Sequence, residues 1–119
     1  MAVDDAIRRR LASFARSRHT RTRVFRPDRP CDWQATAITD PRSREVFTED
    51  GAWQYVADAI EAGVEIEVIE LQQPPGKKGY VMNLASTDPK RPIYVKLQLG
   101  GSNVIGRSFH YTTRPHENT

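Results

Sequence analysis

A chain of 119 residues has room for one domain with a modest core, and 38% hydrophobic with 28% charged residues describes a water-soluble globule. No apolar run approaches the ~20 residues of a membrane-spanning helix, and the basic N-terminal stretch lacks the continuous apolar segment of a secretory signal. One cysteine, Cys31, leaves no internal disulfide and predicts a cytoplasmic location with no membrane partner.

The net charge of +3 is unevenly spread. Residues 1–30 carry nine Arg against three Asp, a net of +6, and the rest of the chain is at −3. An Arg-rich arm is a plausible phosphate-binding footprint, weighed against an ordinary solvated helix face. Residues 4–17 fit a short helix, with Asp4 and Asp5 at its N-terminus and Ile7, Leu11 and Phe14 on one stripe. His19 to Pro30 reads as an extended connector. Residues 33–38, Trp-Gln-Ala-Thr-Ala-Ile, are expected to form a strand, and Asp40 to Ser43 a turn. Thr48 caps a second helix over about 49–62, with Trp53, Val56, Ala57 and Ile60 inward and Gly63 as its stop. Strands are expected at 64–68, 80–84, 93–99 and 104–112, with a break at Gln73-Pro-Pro-Gly76. The expected organisation is an Arg-rich helix and connector over 1–30, one domain over 31–113 and a disordered tail over 114–119. The fold class is α+β, a small antiparallel sheet of three to five strands with helices packed on one face.

The last two strands carry the chemistry. Ile93, Val95, Leu97 and Leu99 share one face, and Tyr94, Lys96 and Gln98 the other. A two-residue loop at Gly101-Ser102 would pair Val95 with Ser108 and mix apolar and polar groups on both faces. A three-residue loop, Gly101 to Asn103, pairs Val95 with Phe109 and Ile93 with Tyr111, so burial favours it. Tyr94 then faces His110, Lys96 faces Ser108, and Gln98 faces Gly106. Arg107 is the misfit, because parity places it opposite Leu97 unless a bulge at Gly106 turns it out or it snorkels at the sheet end.

A polar sheet face is unremarkable in itself. This one joins a titratable His, a phenol and a cation within cross-strand reach of ~5 Å. That set suits metal-free cleavage of an RNA phosphodiester. His110 can be the base toward the ribose 2′-hydroxyl or the acid toward the leaving oxygen. Lys96 and Arg107 can stabilise charge on phosphorus, and Tyr94 can orient a phosphate or stack on a base. Lys77, Lys78, Tyr80, Gln98 and Ser108 are the candidate RNA contacts, with the two lysines equally readable as solubilising edge residues. His19, His110 and His116 show no metal-ligand spacing, and one Cys makes no zinc site. Trp53 reads as core, and Trp33 as core rather than a stacking platform. Cys31 reads as a small inert thiol.

Tyr94-Val-Lys-Leu with Ile105-Gly-Arg-Ser-Phe-His110 resembles the C-terminal hairpin of MqsR-type mRNA interferases, within the wider RelE/ParE-like toxin group. The family pattern is Tyr-Leu-Lys-Ile, a short turn, then a strand ending Ser-Phe-Lys. Tyr94 matches the functional Tyr, and His110 stands where the family has its catalytic Lys. Lys77-Lys78-Gly79-Tyr80 falls near a family Gln or Lys. The match covers about the last 40–70 residues, and the Arg-rich segment has no counterpart. The resemblance implies a RelE/MqsR-like fold and a bacterial type II toxin that cleaves mRNA, free or on the ribosome. It implies no cofactor, and a cognate antitoxin protein as partner. The competing readings are a noncatalytic nucleic-acid- or protein-binding module and a gyrase-directed toxin of the same fold.

Overall fold

The computed structural model describes residues 3–22, 32–71 and 76–112. Cys31, His116, most of the proline-containing break and the tail lie outside them. Helix α1 (Asp5–Arg16) begins where Asp4 Oδ1 accepts from the Ile7 amide at 2.9 Å, which satisfies one of the unpaired N–H groups of its first turn. Helix α2 (Glu49–Glu61) is capped in the same way by Thr48, whose hydroxyl accepts from the Gly51 amide at 2.9 Å. It stops at Gly63, whose φ of +97° suits a residue without a Cβ. Leu11, Ala12 and Ala15 of α1 and Trp53, Val56, Ala57 and Ile60 of α2 are buried. Ile7 and Phe14, expected on the α1 stripe, are half-buried at its margin.

Among the described residues six strands form one sheet: β1 (Arg21–Thr22), β2 (Asp32–Trp33), β3 (Glu67–Glu70), β4 (Lys78–Leu84), β5 (Ile93–Leu99) and β6 (Val104–Tyr111). From β3 to β6 the chain runs as an antiparallel meander. β1 and β2 both lie parallel to β6, one beside Val104 and Ile105 and the other beside Ser108 and Phe109. The sheet is therefore mixed and six-stranded, where a purely antiparallel sheet of three to five strands was expected. Strands of two residues carry no alternation to read.

Three of the expected strands differ at a boundary by two residues or more, β4 among them because it begins at Lys78 rather than Tyr80. The strand expected at 33–38 is limited to β2, followed by a 3₁₀ turn (Ala35–Ala37). The Gln34 amide makes a last bond to the Phe109 carbonyl at 2.8 Å, and the chain then closes on itself through Ala37 N–H to Gln34 O. Ala35 and Ala37 have low strand preference and little side-chain bulk to extend the pairing, and Thr36 between them does not offset this. The strand expected at 64–68 starts at Glu67, because the Val64 amide is still tied to the Ala59 carbonyl at the end of α2.

The β5–β6 hairpin uses both registers that its sequence allows. Near the turn, Leu99 pairs with Val104 and Leu97 with Gly106, and the Gly100 amide donates to Asn103 O at 2.8 Å. Those are the pairs of the two-residue loop. Farther out, Lys96 pairs with Ser108, Val95 with Phe109, Tyr94 with His110 and Ile93 with Tyr111. Those are the pairs of the three-residue loop. The one-residue change between Lys96 and Leu97 is a bulge that leaves Arg107 as the extra residue. It lets Leu97, Val95 and Ile93 all face the core without burying Arg107 among them.

The core is one cluster between the helices and the inward sheet face. Trp33 stacks on Trp53 with ring centroids 4.6 Å apart and packs tilted on Phe109 at 5.2 Å, while Phe47 meets Phe109 edge-on at 5.4 Å. Trp33 and Trp53 are both core, as expected. Gly106 is required by this packing: a Cβ there would lie 2.5 Å from the Trp33 ring.

Candidate functional site

The sheet face away from the helices carries Tyr94, Lys96 and Gln98 on β5, and Ser108 and His110 on β6. The bulge adds Arg107 to the same face, where its Nη1 donates to Gln98 Oε1 at 2.6 Å. Four of the candidate catalytic groups therefore converge: Tyr94, Lys96, Arg107 and His110. The Tyr94 and His110 rings stack with centroids 5.3 Å apart and planes 26° from parallel, which cross-strand pairing at this position makes possible.

Exposure divides this set. Tyr94, Lys96 and His110 are partly open to solvent. Arg107, Gln98 and Ser108 are buried, at 4%, 5% and 6% exposure. They are buried on the same face, so Gln98 and Ser108 are poorly placed as direct RNA contacts. Tyr80 pairs with Leu97 on the opposite, inward face and belongs to the core, which corrects its placement among the RNA contacts. Lys77 and Lys78 are exposed at the far end of β4, and Lys78 is opposite Glu70. Asn83, across from Tyr94, is five residues from Lys78, so the lysines stand about 17 Å along the strand from the Tyr94–His110 pair. They do not share its site.

Electrostatics sorts the roles further. Burial, with a smaller push from Glu67, raises the Tyr94 phenol above its ordinary value. Tyr94 is thus a neutral donor and stacking surface at physiological pH, not a base. Burial and the nearby Arg107 charge lower the Lys96 ammonium from its ordinary value. A cation whose folded-state pKa is depressed costs stability while it is protonated, and that cost disappears as pH rises through the folded and then the unfolded pKa. Lys96→Met is accordingly expected to raise the thermal midpoint by a few degrees at pH 7, measured by calorimetry. The gain should shrink toward pH 11. If Lys96 stabilises a reacting phosphate, the same change lowers cleavage by about 100-fold.

His110 has oxygen neighbours at both ring nitrogens. Nδ1 lies 2.9 Å from the Tyr111 carbonyl oxygen, and Nε2 lies 3.5 Å from Asp32 Oδ2. A carbonyl and a carboxylate both only accept, so each ring nitrogen faces an acceptor, the nearer of the two at Nδ1. Nδ1 is turned to the backbone, and Nε2 points toward Asp32 on the site face. Asp32 and Asn83 were not among the expected site residues. Asp32 was hidden because β2 has no readable pattern. Asn83 had a signal, since it alternates with inward Met82 and Leu84.

Among the described residues, no group of three or more His, Cys, Asp or Glu side chains is arranged to hold a metal ion, and no helix is long and apolar enough to cross a membrane. Fold and site together define an α+β protein whose mixed sheet presents a Tyr–His–Lys cluster on its helix-free face. No family model, curated protein or solved structure matches the chain.

Proposed function

We propose that the chain is a metal-independent endoribonuclease of the RelE/MqsR-like kind. In this reading it acts in the cytoplasm as the toxin of a bacterial type II toxin–antitoxin system and is restrained by a cognate antitoxin. The observation that supports this best is the His110–Tyr94 stack beside Lys96, with Nε2 of the imidazole directed to the site face near Asp32. In the reaction, the ribose 2′-oxygen bonds to phosphorus while the bond from phosphorus to the 5′-oxygen breaks. His110 Nε2 accepts the 2′-hydroxyl proton or delivers one to the departing oxygen. Lys96 meets the charge that builds on the phosphoryl oxygens, and Arg107 reinforces it. Tyr94 stacks on a base or donates to a phosphate oxygen.

The products expected are a 2′,3′-cyclic phosphate and a 5′-hydroxyl, formed equally well with EDTA present. Incubation of the purified chain with mRNA, followed by mapping of both ends, checks this. Ends bearing a 5′-phosphate would overturn the mechanism, and intact RNA would overturn the activity.

A second reading, a noncatalytic nucleic-acid binder, has its own observation. Arg9 and Arg10 are exposed on α1, across the sheet from the Tyr–His–Lys cluster. It predicts binding without cleavage, whose affinity falls with salt by about 0.7 log units per log unit for each phosphate contact on single strands.

A further inference from the structure

We propose that Asp32, itself held by Gln34, is the positioning residue for His110. This rests on the reading that His110 transfers a proton in RNA cleavage. The tripeptide Asp32-Trp33-Gln34 divides the work by direction. Trp33 faces the core between Trp53 and Phe109 and pins β2 to the sheet. Gln34 locks the end of the strand through its amide, 2.8 Å from Phe109 O. Asp32, with opposite parity, lies on the site face beside Ser108.

Its two carboxylate oxygens have separate partners. Gln34 Nε2 donates to Oδ1 at 2.6 Å, and Oδ2 faces His110 Nε2 at 3.5 Å. The Asp32 side chain is 56% exposed and that of His110 23%. An ion pair so open to water adds little to stability, so the consequence of this arrangement is orientation. The ring is fixed at Nδ1 by the Tyr111 carbonyl, on one face by Tyr94, and at Nε2 by a carboxylate that accepts whenever that nitrogen carries a proton. At 3.5 Å no hydroxyl oxygen fits between the two groups, so a substrate hydroxyl reaches Nε2 from the solvent side of the pair.

The test uses the full chain and two variants, Asp32→Asn and Gln34→Ala. Two readouts are taken: single-turnover and steady-state cleavage of a fluorogenic oligoribonucleotide, and the imidazole ¹⁵N resonances of His110. Asp32→Asn is expected to lower kcat about 10- to 100-fold, as loss of alignment does, with KM within about twofold and an unchanged thermal midpoint. The Nε2 resonance should move, and Gln34→Ala should move it in the same direction by less. An unchanged kcat in an active enzyme, or His110 resonances identical to the parent in both variants, would overturn the assignment. If the parent chain cleaves no RNA, the catalytic reading fails instead, and the ¹⁵N resonances alone decide whether Asp32 holds the ring.

Discussion

His110→Ala is expected to lower RNA cleavage by about 1,000-fold, within the range for loss of a general acid or base, while leaving the fold in place. The imidazole is on the helix-free face, outside the core cluster, and its contact with Asp32 is solvent-exposed, so little packing is lost. Far-ultraviolet circular dichroism and the thermal midpoint should match those of the parent. His110→Lys separates two roles, since lysine supplies a charge at neutral pH but cannot shuttle a proton as readily. If His110 works by proton transfer, the lysine variant stays close to the alanine variant. Cleavage restored to parental levels by lysine would mean that the charge alone matters. An alanine variant as active as the parent would remove His110 from the site.

Trp33→Ala is expected to cost about 3–5 kcal/mol of folding free energy, a large share of the roughly 5–15 kcal/mol that holds a domain together. The ring stacks on Trp53, packs on Phe109 and covers Gly106, so alanine leaves a cavity that the rigid sheet cannot close. One factor works the other way. Trp33 Nε1 is buried with no hydrogen-bond partner, and its removal relieves that penalty. The loss should therefore fall toward the lower end of the range. Urea denaturation measures it; a change under about 1 kcal/mol would mean that β2 is not firmly docked. Because the same ring pins the strand that carries Asp32, the variant should also lose activity under conditions where it remains folded.

Much of the molecule could be read from its residues. The caps at Asp4 and Thr48, the stop at Gly63, the inward stripe of α2 and the bounds of β5 all follow from local side-chain chemistry. So did the pairing of Tyr94 with His110, because only that register buries Val95 and Phe109 together. Tyr80 was misplaced because a lone tyrosine beside two lysines looks like a binding residue until the pairing of β4 assigns its face. Gln98 and Ser108 were assigned to the right face, but face does not determine depth.

By itself the amino-acid sequence determined the helices, the meander and the polar ridge, since periodicity and capping act between residues close in the chain. Only the tertiary structure decided the mixed sheet, the placement of Asp32 beside His110 and the position of Arg107. β1 and β2 reach β6 across some 75 to 85 residues of chain, and two-residue strands have no periodicity to announce them. Arg107 was the open question of the hairpin: one register gathered the polar set on one face but set this cation against Leu97 on the core face. The fold resolves it by using one register on each side of the bulge, a choice that the cost of a charge against Leu97 makes favourable only once the core has formed.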